Sequence, residues 1–240
     1  MHDLLIRCSS IGKLMTEPRT KSEGPLSVGA KTHVRELAAQ VIFGVDFTFS
    51  SKETEKGIQC EPDSIALLNE VRGLALTKNT ERRNNGLWTG ECDLFNAPRR
   101  RGHDLKTSWS VKTFPICVEA CEDKLYEWQM RGYMALWDAD EWSVDYALVN
   151  TPEQLIGYEP ATLHYVDHIP AHHRLTSWVI QRDRAKEEAM AEKVRLARAY
   201  FLEVIEEFDR THRAGELPQP MPAAPTVAVA PTTLPDSIFA

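Results

Sequence analysis

The sequence predicts an α/β fold, a small mixed β-sheet flanked by helices. Three observations predict it. Helical and extended textures follow one another in the order helix, helix, strand, strand, helix, strand, long helix. Apolar residues make up 42% of the 240 positions, enough for a real core. No internal repeat divides the chain.

Taken in order, the opening segment Cys8–Met15 is short and is closed by Thr16-Glu17-Pro18-Arg19. A helix is expected over about Ser27–Phe43, with Val34, Leu37, Ala38 and Val41 on one face. A second is expected over Glu55–Leu76, where Ile58, Ile65, Leu68, Val71 and Ala75 form an apolar stripe. Leu87–Phe95 and Gly102–Ser108 read as strands joined by the turn residues 96–101. Helix texture returns over Glu122–Trp137. Strands are expected at Ser143–Val149 and Ala161–Ile169, then one long charged helix over Leu175–Ala214, broken at Gly215. Residues 1–214 are thus expected to form one domain, and the Pro/Ala-rich residues 215–240 a disordered tail.

Composition narrows the function. No run approaches the roughly 18 apolar residues of a membrane span, and Met1-His2-Asp3 lacks the basic start of a signal peptide, so a cytoplasmic protein is expected. The five cysteines, Cys8, Cys60, Cys92, Cys117 and Cys121, include no CxxC pair, which argues against a structural zinc or iron–sulfur site. Cys117 and Cys121 stand one helical turn apart, but buried free thiols are the simpler expectation. A formal net charge of −7 speaks against an overall basic nucleic-acid binder. Basic residues nevertheless cluster at Arg99-Arg100-Arg101 and at Lys13, Arg19 and Lys21.

The chemistry begins at Asp104-Leu105-Lys106. On a strand Asp104 and Lys106 share a face, which by itself describes many surface ion pairs. Asp93 lies on the preceding expected strand; if the two form a hairpin, two carboxylates meet and need a cation between them. Mg²⁺ prefers such oxygen ligands. Glu91 shares a strand face with Asp93 and is a rival ligand. Glu61 falls on the apolar stripe of the second helix, where a carboxylate needs either a basic partner or a metal. Gln129 and Tyr133 stand one turn apart on a mostly apolar helix.

In this order, Gly57-x-x-x-Glu61, Gly90-x-x-Asp93, Asp104-x-Lys106 and Gln129-x-x-x-Tyr133 resemble the RecB-like branch of the PD-(D/E)xK nuclease superfamily. Within it the chain is most similar to the YqaJ-type viral recombination exonucleases, relatives of the phage lambda exonuclease. The segment Ser9–Arg19 also resembles the start of that group. The resemblance covers roughly residues 5–170. The residue pair "Pro-Asp" that often precedes the first acid is absent at Asp93, and so is the cysteine cluster of the iron–sulfur members.

The resemblance implies a restriction-endonuclease-like core and a metal-dependent DNA exonuclease acting on double-stranded ends, 5′ to 3′, in phage-type recombination. Glu61, Asp93, Asp104 and the Leu105 backbone carbonyl would hold Mg²⁺, with Mn²⁺ able to substitute. Lys106 would act on the water and phosphate, with Gln129 and Tyr133 positioning them. Ser9, Ser10, Lys13 and Arg19 would take a terminal phosphate, and Arg99, Arg100 and Arg101, on the turn beside the site, would hold the backbone. A ring-shaped homo-oligomer, a single-strand annealing or binding protein as partner, and a bacterial or phage-infected cytoplasm are implied in the same way. Two alternatives stay open: a structure-specific or restriction-type endonuclease on the same core, and a non-catalytic DNA-binding protein with a decayed nuclease fold.

Overall fold

The computed structural model describes residues 4–47 and 50–212. The expected domain end at 214 and the Pro/Ala-rich segment 215–240 lie outside the described residues. Strand β1 (Ile6–Arg7) runs directly into helix α1 (Cys8–Leu14). Helix α2 (Val28–Phe43) starts where the sequence places it. The Ser27 hydroxyl accepts the Ala30 N–H at 3.1 Å, and Gly44 ends the helix in the left-handed region. Val34 and Ala38 are buried, whereas Val41 is exposed.

The expected helix over Glu55–Leu76 is two helices, α3 (Lys52–Gln59) and α4 (Glu61–Arg72), hinged at Cys60. Pro62 is the physical reason: it has no N–H for the Ile58 carbonyl, and its ring would clash with that carbonyl. The chain therefore restarts a helix with Pro62 in its first turn. Ile58 is 67% exposed, so the apolar stripe does not cross the break and Glu61 does not face the core.

The expected strand Leu87–Phe95 is also divided. After β2 (Arg82–Asn84) come β3 (Trp88–Glu91) and β4 (Leu94–Asn96), which belong to different sheets. Strand β3 sits between β1 and β2 in a three-stranded sheet. Strand β4 edges a four-stranded sheet whose next member is β5 (Arg101–Thr107). Helix α5 (Lys124–Trp137) is capped by Asp123, whose carboxylate accepts the Leu125 and Tyr126 N–H groups. Strand β6 (Glu141–Ala147) runs parallel to β5, and the one-turn helix α6 (Glu153–Ile156) follows.

Two expectations are corrected beyond this point. Ala161–Ile169 is a short 3₁₀ turn at Ala161–Leu163 followed by further turns, bounded by Pro160 and Pro170. Leu175–Gln181 is strand β7, antiparallel to β6, and not the start of the long helix. Thr176, Trp178, Val179 and Ile180 suit a pleated strand. Helix α7 (Arg184–Thr211) begins only at Asp183, whose carboxylate accepts the Lys186 N–H at 3.2 Å.

The sheet order β4-β5-β6-β7 makes β5 and β6 the central strands. Helices α1, α2, α5 and α7 enclose a large core with Ile11, Val34, Met130, Trp142, Val144 and Phe201 on one side. Helix α4 buries Leu67 and Leu68 against Leu94, Ala147, Val149 and Leu175 on the other. Among the described residues no helix is long and apolar enough to cross a membrane.

Candidate active site

Strand β4 pairs with β5 only over Arg101–His103. The edge of β5 beyond that point is free of a strand, and a cavity of about 740 Å³ opens there, lined by Glu61, Lys78, Asp93, Leu105 and Lys106 among others. The Asp93 carboxylate takes the place of the missing strand: its Oδ2 accepts the Leu105 N–H at 2.7 Å. The N–H and C=O of one residue in a strand face the same edge, so the Leu105 carbonyl opens on this side too. Carrying the β4–β5 register one residue further sets Asp93 opposite Asp104. Asn79 fixes the bend between β3 and β4: its N–H donates to the Asp93 carbonyl at 2.7 Å and its Nδ2 to the Cys92 carbonyl at 3.1 Å. Burial, then the charge of Asp104, push the Asp93 carboxyl up to about 7, against the pull of the Leu105 N–H and Lys106.

Asp104 is 2% exposed. Gln129 Nε2 reaches its Oδ1 at 3.4 Å and also donates to the Tyr133 hydroxyl at 3.2 Å; Tyr133 in turn donates to the Glu91 carbonyl at 3.1 Å. This chain of bonds ties α5 to both sheets. Gly90 permits it, since a Cβ there would stand 2.6 Å from the Tyr133 ring. Burial and the nearby charge of Asp104 keep the Tyr133 hydroxyl protonated well above its usual range. Lys106 Nζ lies 2.7 Å from Asp104 Oδ2 and is the charge partner of that buried oxygen. Burial opposes the Lys106 charge, but Asp104 outweighs it and holds the ammonium above its ordinary range. The Tyr126 ring covers Lys106 at 4.4 Å from Nζ to centroid.

Glu61, at the first turn of α4, reaches the cavity mouth and pairs there with Lys78, which the pairing holds above its usual range. Glu91, the rival of Asp93, points elsewhere and pairs with Arg82 at 3.2 Å. Gly57 lines the cavity wall, and a Cβ there would meet nothing within 4 Å. Among the described residues no three His, Cys, Asp or Glu side chains close on one point as they stand, Glu61 being turned onto Lys78. Cys117 is exposed and Cys121 buried, both free, so the expectation of buried thiols fails at Cys117.

The residues expected to bind DNA fall into two groups, one of Ser9, Ser10 and Lys13 on α1 with Arg19 in the loop after it, the other the arginines of the β4–β5 turn. Ser10 and Lys13 line a separate cleft between α1 and α2, whereas Ser9 and Arg19 are exposed outside it. The Arg99–Arg101 turn is not beside the cavity. It lies at the other end of β5 from Lys106, five residues or about 16 Å along an extended strand. Arg100 is taken up by Asp138 and Asp140, and Arg101 pairs with Glu141.

Sequence reasoning missed Lys78, Trp109, Tyr126 and Tyr146 on the cavity wall. It also missed Lys56, whose buried Nζ donates to the carbonyls of Ser108, Trp109 and Val149 at 2.7–3.0 Å and pins the loop after β5. Lys56 adjoins the Gly57 motif, so a basic residue one position before it was the available signal; Lys78 sits in an aperiodic loop and had none.

The chain matches no family model and no curated protein. Among solved structures, a phage-related exonuclease from Haemophilus somnus 129PT superposes with a TM-score of 0.81 at 37% identity, over 86% of this chain and 97% of that one. An alkaline exonuclease (LHK-Exo) from Laribacter hongkongensis gives a TM-score of 0.63 at 16% identity, over 86% and 92% of the two chains. Its complex with dAMP gives 0.62 at 17%. At those identities the Laribacter likeness speaks for the fold alone.

Proposed function

The chain belongs to the phage-related exonucleases, the YqaJ-type family, and from that premise we propose that it degrades double-stranded DNA from its ends, 5′ to 3′, with Mg²⁺ or Mn²⁺ at the open edge of β5. The observation that carries this is a buried pair of carboxylates, Asp104 set opposite Asp93, which burial drives toward protonation, with the one ammonium of Lys106 beside them. Two buried carboxylates with one ammonium keep a net negative charge, which is costly unless a second cation sits beside them. The donor set is all oxygen, which suits a hard divalent ion.

Asp93, Asp104 and the Leu105 carbonyl would hold the ion, and Glu61 would join them by leaving Lys78. The Glu61–Lys78 pair is half exposed, and such pairs contribute about 0–1 kcal/mol, so the exchange costs little. When bound, the metal supplies acidity for an attacking water and stabilises charge growing on the phosphate. Lys106, oriented by Asp104 and by the Tyr126 ring, faces the cavity and would hold the water and a phosphate oxygen. Gln129 positions Asp104, and Tyr133 positions Gln129. A place in phage-type recombination, a ring-shaped homo-oligomer and a single-strand annealing or binding protein as partner rest on the family resemblance.

Linear and covalently closed duplexes incubated with EDTA, Mg²⁺ or Mn²⁺ test the reading. Loss of the linear DNA alone, and only with metal, is expected. Cleavage of the closed circle would move the protein to the endonucleases. Inactivity with every divalent ion would leave the non-catalytic DNA-binding reading.

A further inference from the structure

On the face of the sheet opposite Asp104 and Lys106 lies a second cavity, of about 260 Å³, that shares no lining residue with the first. Alternation along β5 turns Arg101 and His103 toward it, and Asp104 and Lys106 away. Arg72, Arg99, Arg101, His103, Asn96 and Ser177 line it, and no carboxylate does. Three guanidiniums around one small cavity are unexpected in a chain of formal net charge −7, because like charges repel and, among the described residues, Arg101 alone of the three has an ion-pair partner, Glu141.

The three are held differently. Arg72 donates to the Ser177 hydroxyl at 2.9 Å, and Ser177 donates to buried Asp145 at 2.5 Å, so Arg72 is pre-oriented. Arg101 gives one Nη to Glu141, while its buried Nε finds no partner. The Arg99 side chain is exposed and, among the described residues, makes no ion pair. Planar guanidiniums with idle N–H groups match the oxygens of a phosphoryl group.

We propose that this cavity is a phosphate-binding site, distinct from the catalytic cavity and independent of the metal reading given for it. Its ligand is a phosphoryl group, either of a free phosphate or nucleotide or of a nucleic-acid strand passing the β4–β5 turn.

Calorimetric titration of inorganic phosphate into the full chain in EDTA tests this, since EDTA removes any metal-dependent binding in the catalytic cavity. One phosphate per chain is expected. Arg99→Ala, at an exposed position that the fold does not need, should weaken it about tenfold or more, and Arg72→Gln likewise. Lys106→Ala and Lys13→Ala, each on the wall of a different cavity, should leave it unchanged. Absence of binding up to low-millimolar phosphate overturns the proposal. So does binding that survives Arg99→Ala and Arg72→Gln but is lost in either lysine variant. Competition then separates the two sources. Equal displacement by dAMP and phosphate assigns a small free ligand. Tighter, Arg99-dependent displacement by a 5′-phosphorylated single strand assigns the strand.

Discussion

Asp104 and Asp145 lie on neighbouring central strands, are 2% and 1% exposed, and face opposite sides of one sheet. Their surroundings differ in kind. Asp145 accepts from His103 at 2.9 Å, Ser143 at 2.6 Å and Ser177 at 2.5 Å. Burial alone would raise its carboxyl, but the bonds and charge of His103, with the two serines, hold it below its usual range. Asp104 has one long bond from Gln129, one ion contact with Lys106, and a second carboxylate opposite it. A fold able to satisfy one buried aspartate completely has left its neighbour incomplete. The incomplete one lies behind Asp93 and Lys106, which line the cavity, and a cation added beside Asp93 would complete it.

The largest expected effect breaks the catalytic half of this contrast. Asp104→Ala and Lys106→Ala should each lower the rate of linear duplex degradation by on the order of 10³-fold or more, ~4 kcal/mol of transition-state stabilisation. They should part in metal affinity. Calorimetry should show Mn²⁺ binding lost in Asp104→Ala and retained or tightened in Lys106→Ala, which removes a nearby positive charge. Cleavage surviving in Lys106→Ala would reduce the pair to an ordinary ion pair.

Stability separates the two aspartates in the opposite direction. Asp145→Asn breaks a satisfied buried pair with His103 and should cost about 3 kcal/mol. Asp104→Asn removes the partner of the Lys106 ammonium but relieves the repulsion with Asp93, so the two effects oppose and the loss of metal-free stability should be smaller than in Asp145→Asn. Urea unfolding in EDTA measures both. Equal losses would erase the distinction drawn between them.

How far this was legible follows from which signals are local. Asp104, Lys106 and Asp93 were found because strand alternation and a hairpin between them are short-range properties, and the structure does set them side by side. Helical spacing puts Gln129 and Tyr133 one turn apart, and the family resemblance, not the spacing, singles them out. Glu61 was named for a reason that fails: it was placed on a core-facing stripe, whereas the Pro62 break puts it at a helix start on the cavity mouth. The long helix was read too early because Leu175–Gln181 has no turn residue before Asp183 to separate strand from helix. The arginine turn was misplaced because sequence adjacency to β5 does not say which end of the strand carries the chemistry. The Asp145–His103 network depends on β5–β6 pairing, and its Ser177 bond on β6–β7 pairing, each across more than thirty positions, which no local pattern discloses.

Acidity sharpens the comparison further. Asp93 is raised from 3.8 to about 7. Across that window the folded, metal-free chain keeps a proton that the unfolded chain releases, so this group makes stability fall as pH rises from about 4 to 7. Bound metal removes the penalty. The rise in Tm on adding Mn²⁺ should therefore be larger at pH 8 than at pH 5.5, where the ion must displace the proton. A shift independent of pH would mean that Asp93 does not contact the ion.

The smallest effect concerns what holds Glu61 away from its neighbours. Lys78 is about half exposed and Glu61 about a quarter, so solvent screens their attraction and the pair should contribute little to the fold. Lys78→Ala should change unfolding free energy by no more than about 0.5 kcal/mol. If Glu61 belongs to the metal set, Lys78 competes with the ion for it. Its removal should then tighten Mn²⁺ binding several-fold by freeing the Glu61 carboxylate. The tightening should vanish in the double variant Lys78→Ala, Glu61→Gln, because only Glu61 links Lys78 to the ion. A double variant that still binds more tightly than Glu61→Gln alone would show Lys78 acting through the general field of the cavity, and Glu61 would lose its place among the ligands.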